Sequence, residues 1–402
     1  MQPHDSSAIA LCIDSIRLLG YPGLQRLLCN ALGHISDIQP ATETLPTSIP
    51  TIHTFQEDWL SLGGVDLQIN GGLGLAFPDL QPGLEDRLQE VAALLWQQGV
   101  DLFLPTIVTT ATEKVHQALE TFAHYSPSST KPLATVAGVH LEGPFLNPSK
   151  RGAHPDAYLQ PLSVDSVKHL LGDYSTTVRV ITLAPELDPS GDAIAYLRRQ
   201  NIIVSLGHSQ ATAAQAQTAF RQGATMVTHA FNAMPPLHHR EPGLLGAAVM
   251  EPGVWCGFIA DGQHIHPLML KWLLQTNHGQ ELFLVSDALA PLGLPDGTYP
   301  WDSRTIEVSQ GIARLADGTL SGTTLPLLEG VKNLVHWGIC SVETAIALAT
   351  VAPRHGIGLT GIGIGIGTSL ENLLHWHFDS ASQTLHWERL WPKISEYFAT
   401  HR

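Results

Sequence analysis

Cysteine is scarce in this chain. There are four in 402 residues (Cys12, Cys29, Cys256 and Cys340), at no paired spacing, which argues against a disulfide framework and against a thiolate zinc site. Charge is scarce too: only 14% of residues are Asp, Glu, Lys or Arg, and 36 acidic residues against 21 Lys and Arg leave a formal net charge of −15. So acidic a chain is a poor partner for nucleic acid or for an anionic membrane surface. No apolar run reaches the ~18 residues that a membrane span needs. The polar stretch Met1 to Ser7 lacks the basic region of a signal peptide. A cytoplasmic protein is the expectation.

What the chain does have is apolar content, 44% of residues, enough to bury one large domain with a smaller appendage. Residues 1 to about 60 read as short segments separated by turns such as Pro22-Gly23, with a Pro/Thr-rich piece at 40–50. Short strands are expected there, although 24–32 also fits a helix. From about residue 62 the pattern becomes regular, with apolar strands near 64–70, 101–108, 134–142, 177–186, 201–208, 225–231, 255–262 and 281–288. Helical periodicity fills most of the gaps. Leu84, Leu88, Val91, Ala92 and Leu95 share one face, Val115, Leu119 and Phe122 another, and further helices are expected at 211–221 and 266–275. Repeated strand–helix alternation predicts an α/β fold, a parallel sheet closed as a (β/α)8 barrel of the TIM type. The alternative, an open doubly wound sheet, needs a Gly-rich phosphate loop leading into a helix. Asn70-Gly71-Gly72-Leu73-Gly74 leads into none directly.

After the last strand comes a glycine-rich excursion, 292–321, then helices at 325–337 and 341–350, then turns at 356–367. Leu374-His375-Trp376-His377-Phe378 and Thr384-Leu385-His386-Trp387 resemble the arms of a hairpin. Strand-like termini on both sides of a barrel predict one small β-domain built from residues 1–61 and 352–402, against a barrel of 62–351.

The chemistry gathers at the strand ends. Four apolar strands end in Glu142, His208, His229 and Asp287. A buried carboxylate at a strand end costs several kcal/mol unless something pairs with it. Two imidazoles and a carboxylate form the ligand set of open catalytic zinc sites, which keep a position for water. Asp287 on the same face is placed to move a proton. Each has a plainer reading: a strand-end His held by hydrogen bonds, or Asp287 as a cap for the turn at Ala288. Four together on the C-terminal face of one barrel are what catalysis requires.

The motifs His140-Leu141-Glu142-Gly143-Pro144-Phe145, Leu183-Ala184-Pro185-Glu186, Gly207-His208-Ser209, Thr228-His229-Ala230-Phe231-Asn232-Ala233-Met234, Arg240-Glu241-Pro242-Gly243, Asp261-Gly262-Gln263-His264, Ser286-Asp287-Ala288 and Gly318-Thr319-Leu320-Ser321-Gly322 follow in that order. Over about 62–355 the chain resembles the N-acetylglucosamine-6-phosphate deacetylases of the amidohydrolase superfamily, whose small β-sandwich domain comes from both chain ends. The resemblance implies hydrolysis of the acetamide of N-acetylglucosamine 6-phosphate to glucosamine 6-phosphate and acetate, in a homodimer. It makes Glu142, His208 and His229 the ligands of one divalent metal and Asp287 the catalytic acid/base. Zinc is favoured, with iron, manganese or cobalt as alternatives, since a mixed N/O set is not strongly selective. It also implies that His154, Asn232, Ala233, Arg240 and His264 hold the sugar phosphate, and that Ala153, Asp261, Gly262, Gln263, Leu320, Ser321 and Gly322 line the same pocket. The plainer role for Arg240 is a surface ion pair with Glu241.

One departure bears on the metal count. Many superfamily members carry His-x-His at the end of the first strand, where this chain has Gln68-Ile69-Asn70. Cyclic-amide hydrolases of the same superfamily would show that pair and a strand-end lysine fit for carbamylation, and neither is visible. A non-catalytic sugar-phosphate sensor would be expected to lack Asp287 or a ligand, and all four residues are present.

Overall fold

Eight parallel strands form the centre of the molecule: Gly64–Ile69, Val100–Val108, Val139–Glu142, Val178–Leu183, Ile203–Leu206, Met226–Val227, Trp255–Phe258 and Leu282–Leu284. In this computed structural model, which describes residues 9–43, 49, 51–52, 58–128, 131–276, 279–361 and 363–391, each strand pairs in parallel with the next around the ring. The eighth returns to the first through an isolated parallel bridge, Ile69 with Ala288. The (β/α)8 barrel and all eight strand positions match the sequence reading. The expected strand at 134–142 is interrupted, as Thr135–Val136 and Val139–Glu142, around Gly138 at φ 116°.

Helices pack outside the strands, and their apolar faces are the expected ones. In α1 (Glu85–Gln97) the buried residues are Leu88, Val91, Ala92 and Leu95, and in α2 (Thr112–His124) they include Val115, Leu119 and Phe122. Next come α3 (Val164–Leu171) and α4 (Asp192–Arg199). Helix α5 (Ala213–Gln222) begins in a Thr212–Gln215 capping box and stops at Gly223, whose φ of 116° ends the helix as only glycine readily does. The ring continues with α6 (Gly243–Ala248), α7 (Pro267–Thr276) and α8 (Leu327–His336). The last helix, α9 (Val342–Gly356), runs past the expected end at 350 and through Pro353. The Arg354 guanidinium donates to the Thr350 carbonyl one turn earlier in the same helix.

Inside the ring, Leu67, Leu104, Val180, Met226, Ile259 and Phe283 belong to one apolar cluster. Side chains alternate along a strand, so Val180 and Thr182 share a face, as do Met226 and Thr228. A polar layer therefore sits one step closer to the strand ends. The His140 ring bridges the Leu67 carbonyl (3.1 Å) and Thr182 Oγ1 (2.7 Å), and Thr182, Thr228 and Ser205 hydroxyls follow at 2.7 and 2.6 Å. Burial pushes the His140 imidazolium down to about 4, so the ring is neutral near pH 7. Its Nδ1–H donates to Leu67 and its Nε2 accepts from Thr182.

The two ends of the chain share one sheet, in the order Thr384–Arg389, Leu373–Asp379, Trp59–Leu62, Ile9–Leu18, Gln25–Asn30, Ile35–Pro40. Strand Ile9–Leu18 has a register break between Ile13 and Ile16, with Ser15 at φ 60°. The strand pairs with Gln25–Asn30 on both sides of the break, with Thr51–Ile52 before it and with Trp59–Leu62 beyond it. That bend folds the sheet over a core of Leu11, Ile13, Leu27, Leu60, Leu373 and Leu390. The hairpin arms are as expected. Residues 25–30 form a strand, not a helix: strands pair along both its edges, residues 25–29 are buried on both faces, and such a run carries neither period. The Met1 to Ser7 stretch and most of the Pro/Thr-rich 40–50 piece lie outside the described residues. The 292–321 excursion holds most of a four-stranded antiparallel sheet, Gly297–Trp301, Arg304–Ser309, Ile312–Leu315 and Leu320–Thr323. Its glycines include the turn residues Gly311 and Gly318 at φ 79° and 86°. None of the four cysteines is in a disulfide.

A buried charge cluster joins the sheet to the base of the barrel. The Asp101 carboxylate accepts from Arg389 Nη1 (2.7 Å), Gly63 N (2.7 Å) and, more loosely, Arg354 Nη2 (3.4 Å). Arg389 also donates to the Trp96 and Val100 carbonyls and stacks 4.5 Å from the Trp96 ring. Breaking a buried pair on one side costs about 3–5 kcal/mol, because a charge is left unpaired. Asp101→Ala strands two guanidinium groups and is expected to lose at least that much in urea unfolding, more than Arg389→Ala. An unchanged midpoint would show the cluster to be solvated and weak.

Candidate active site

Glu142 closes the third barrel strand, His208 and His229 follow the fifth and sixth, and Asp287 follows the eighth. The chain turns sharply at each point. His208, His229 and Asp287 have φ of 48°, 27° and 48°, and Gly143 after Glu142 has 87°. Such left-handed positions are uncommon for residues with a side chain and persist only where the surroundings enforce them. They swing each functional group from the strand direction toward the barrel axis.

Glu142 Oε1 lies 3.1 Å from His208 Nε2 and 3.0 Å from His229 Nε2, and the two nitrogens are 3.0 Å apart. All three side chains are buried. His208 Nδ1 is 2.9 Å from the Lys150 carbonyl. A carbonyl can only accept, so Nδ1 carries the proton and Nε2 of the neutral ring is a bare lone pair. That lone pair and a carboxylate oxygen converging within about 3 Å repel unless a cation sits between them. The donor set, two imidazole nitrogens and one carboxylate, fits a divalent metal ion. Among the described residues this is the one trio of potential ligands whose donor atoms lie within 4.8 Å of one another.

Asp287 sits beside the trio. Its Oδ1 accepts from Asn70 Nδ2 (2.8 Å) and Gln68 Nε2 (3.3 Å), and Gln68 Nε2 also reaches Glu142 Oε1 at 3.1 Å. The first-strand amides thus bridge two carboxylates. Burial, and then the charge of Glu142, push the Asp287 carboxyl up to about 7.

A cavity of about 330 Å3 opens over these groups. Ala153, His154, Asn232, Ala233, His264, Leu320, Ser321 and Gly322 line it together with the trio and Asp287. His154 accepts from Thr109 N on Nδ1 (3.3 Å), which leaves Nε2–H pointing toward Glu142 Oε2 at 4.0 Å. Burial, then His208, hold its imidazolium at about 3. It is a neutral donor at the metal end of the cavity.

Arg240, Asp261, Gly262 and Gln263 are not among the lining residues. Asp261 lies behind His264: its carboxylate takes His264 Nδ1–H at 2.6 Å and the backbone amides of Gln263 and His264 at 2.8 and 2.9 Å. Gly262, at φ 74°, turns that loop against Trp337, and Gln263 is exposed. Arg240 is exposed with Nη1 3.0 Å from His239 Nε2. It forms no ion pair with Glu241, whose Oε1 accepts from Ala213 N and Gly243 N.

Several contributors carried no sequence signal for their role. Lys114, paired with Asp79 at 2.6 Å, lines the cavity from α2, and Trp301 and Asp302 line it from the excursion sheet. Arg304 ties that sheet down by donating to the Ala153 carbonyl at 2.7 Å. Helical and strand periodicity rank such residues as surface. His140 was visible within its motif, but its link to the hydroxyl layer depends on three other strands.

No family model matches the chain. It is 40% identical over 308 residues, 75% of each chain, to N-acetylglucosamine-6-phosphate deacetylase of Mus musculus. Over 298 residues it is 35% identical to N-acetylgalactosamine-6-phosphate deacetylase of Escherichia coli O157:H7, covering 74% of this chain and 78% of that one. Among solved structures, a point mutant of the Mycobacterium smegmatis N-acetyl-D-glucosamine-6-phosphate deacetylase, in complex with N-acetyl-D-glucosamine-6-phosphate, superimposes with a TM-score of 0.79 at 26% identity, over 93% of this chain and 96% of that one. With the strand-end trio, Asp287 and the motif order already in place, the chain belongs to the N-acetylglucosamine-6-phosphate deacetylase family.

Proposed function

We propose that this protein hydrolyses the acetamide of N-acetylglucosamine 6-phosphate, releasing acetate and glucosamine 6-phosphate, with Glu142, His208 and His229 holding one divalent ion. The observation that carries the reading is the convergence of two imidazole nitrogens and a carboxylate oxygen within about 3 Å in a buried site beside a second carboxyl. A divalent ion held there would polarise the amide carbonyl and make a water acidic. The chain's own contribution is proton management and placement. Asp287, anchored through Oδ1 by Asn70 and Gln68, takes the proton of the attacking water and delivers it to the departing amine nitrogen. His154 offers Nε2–H to a substrate oxygen near the metal end. His264, oriented by Asp261, and Asn232 with Ala233 face the sugar phosphate.

The amide orientation supports a single ion. Gln68 and Asn70 present N–H donors to Glu142 and Asp287, and such donors oppose a second cation. Zinc is the first choice for a two-nitrogen, one-oxygen set, with iron, manganese or cobalt as alternatives. A homodimer, residence in the cytoplasm and the division into 1–61 with 352–402 against 62–351 belong to the same proposal. Pairing of Leu373–Asp379 onto Trp59–Leu62 supports joining the chain ends, although Trp59–Leu62 and α9 both cross the expected boundaries. The 35% identity to an N-acetylgalactosamine-6-phosphate deacetylase favours a second reading, in which the C4 epimer is accepted as well.

Four measurements test this. Purified protein is expected to release acetate from N-acetylglucosamine 6-phosphate, to lose that activity to a chelator and to regain it with zinc. Elemental analysis should give one ion per chain, and two full sites would end the single-ion reading. Asp287→Asn should abolish turnover with metal content unchanged, whereas a parallel loss of metal would make Asp287 a ligand. The fourth concerns Arg240, still proposed as a phosphate ligand although it lies outside the cavity. A charge-assisted hydrogen bond is worth about 1.5–3 kcal/mol, so Arg240→Ala should lower kcat/KM on the phosphorylated sugar by roughly 10–100-fold and leave the free sugar unaffected. If the mutant discriminates as well as its parent, the anion is held from inside the cavity, where His264 and Lys114 supply the candidates.

A further inference from the structure

The barrel is stitched by strand ladders at every junction except the one where its eighth strand meets its first, which has only an isolated bridge. There, the chain after Leu284 is held to Gly64–Ile69 by one bridge and a few individual hydrogen bonds. Val285 N still donates to Phe258 O in the seventh strand, but the next two amides both turn to the first strand. Asp287 N donates to Gln68 O at 2.9 Å. Ser286 N donates to Asp66 Oδ1 at 3.1 Å.

Successive amides of an extended strand point to opposite sides, so two in a row toward one neighbour mark a chain that has left strand geometry. The chain then turns left-handed at Asp287, whose φ is 48°. With Asp287 N on the Gln68 carbonyl, Ser286 N needs an acceptor off the ladder. The Asp66 carboxylate supplies one, and the same Oδ1 also lies 3.4 Å from Gln68 N, whose side chain in turn holds Asp287. Asp66 is only 1% exposed and carries no part of the metal trio. On its far side Ser286 is fastened too: its carbonyl accepts from Thr323 Oγ1 at 2.7 Å and its hydroxyl accepts from Ala288 N at 3.1 Å.

We propose that Asp66 is the positioning residue for Asp287: its buried carboxyl oxygen captures the Ser286 amide and holds the left-handed turn that aims the Asp287 carboxyl at the Glu142–His208–His229 cluster. Asp66 touches neither substrate nor metal in this role. It sets where the proton carrier stands. The inference rests on Asp287 being the acid/base, as proposed above. Burial pushes the Asp66 carboxyl up to about 7. A carboxamide in its place would therefore be close in shape and, near neutrality, not far in charge.

The test compares Asp66→Ala with Asp66→Asn, both metal-loaded, on N-acetylglucosamine 6-phosphate. A displacement of about 1 Å in a reacting group can lower turnover by roughly 10²-fold, and Asp66→Ala is expected to lose kcat on that scale while KM and metal content hold. Asp66→Asn keeps an oxygen for the Ser286 amide and should return most of the rate. A folded, metal-loaded Asp66→Ala with the parent's kcat overturns the proposal, and so does an Asp66→Asn as slow as the alanine variant. If Asp66→Ala does not fold, Asp66→Ser, whose oxygen stops short of the amide, takes its place with the same expected and overturning results. Asp287→Asn run in parallel separates the two assignments. Full activity there removes the acid/base reading itself, whereas an inactive Asp287→Asn beside an active Asp66→Ala removes Asp66 alone.

Discussion

Everything at the barrel mouth depends on an arrangement that is unstable without a cation. Glu142 Oε1 and the Nε2 atoms of His208 and His229 lie about 3 Å apart in a buried site. The hydrogen bond from His208 Nδ1 to Lys150 O denies that ring's Nε2 a proton of its own. Such a cluster must be held open by force from outside, and the fold supplies it. Left-handed turns at His208 and His229 aim the rings inward, and a layer of hydroxyls and the neutral His140 ring lies beneath them. Strained backbone and a satisfied polar layer are the usual means of holding side chains where they would not rest by themselves.

Charge around the cluster is managed without Lys or Arg. Glu142 and Asp287 share the Gln68 amide, and Asn70 completes the hold on Asp287. Burial, and then the charge of Glu142, push the Asp287 carboxyl up to about 7, whereas Glu142 faces the two imidazoles. One carboxylate is thereby suited to bind a cation and the other to carry a proton. The first-strand amides make the difference, since they are donors where imidazoles would be acceptors.

The rest of the molecule frames this centre. The four-stranded excursion sheet contributes Trp301, Asp302 and Leu320 to Gly322 to the cavity wall, and Arg304 clamps it to the loop that carries His154. At the opposite end, Asp101 gathers Arg354 and Arg389 and joins the sheet of the chain ends to the barrel base. Stability and chemistry are placed on separate faces, as is usual for this architecture.

Much of this was legible in the residues alone. Period-2 and period-3.6 patterns located the eight strands and the helices, because a parallel barrel buries its strands and one face of each helix whatever the details. Glu142, His208, His229 and Asp287 stood out because an ionisable group at the end of an apolar run has to be there for a reason. Local pattern failed where burial is two-sided, as in Gln25–Asn30, and where turn glycines hide alternation, as in Gly297–Thr323. It also could not say which way a side chain leans. Gln68 and Asn70 stand where many superfamily members carry imidazoles, and only the fold turned their N–H groups onto two carboxylates. Arg240 and Asp261 belong to the right motifs, yet one lies outside the cavity and the other stands behind His264. Sequence determined which chemical groups arrive at the barrel mouth, since strand order and alternation follow from local hydrophobic pattern. Which of them face one another was decided only in three dimensions, because hydrogen-bond direction and backbone handedness at a strand end depend on neighbours as far away in the chain as Gln68 is from Asp287.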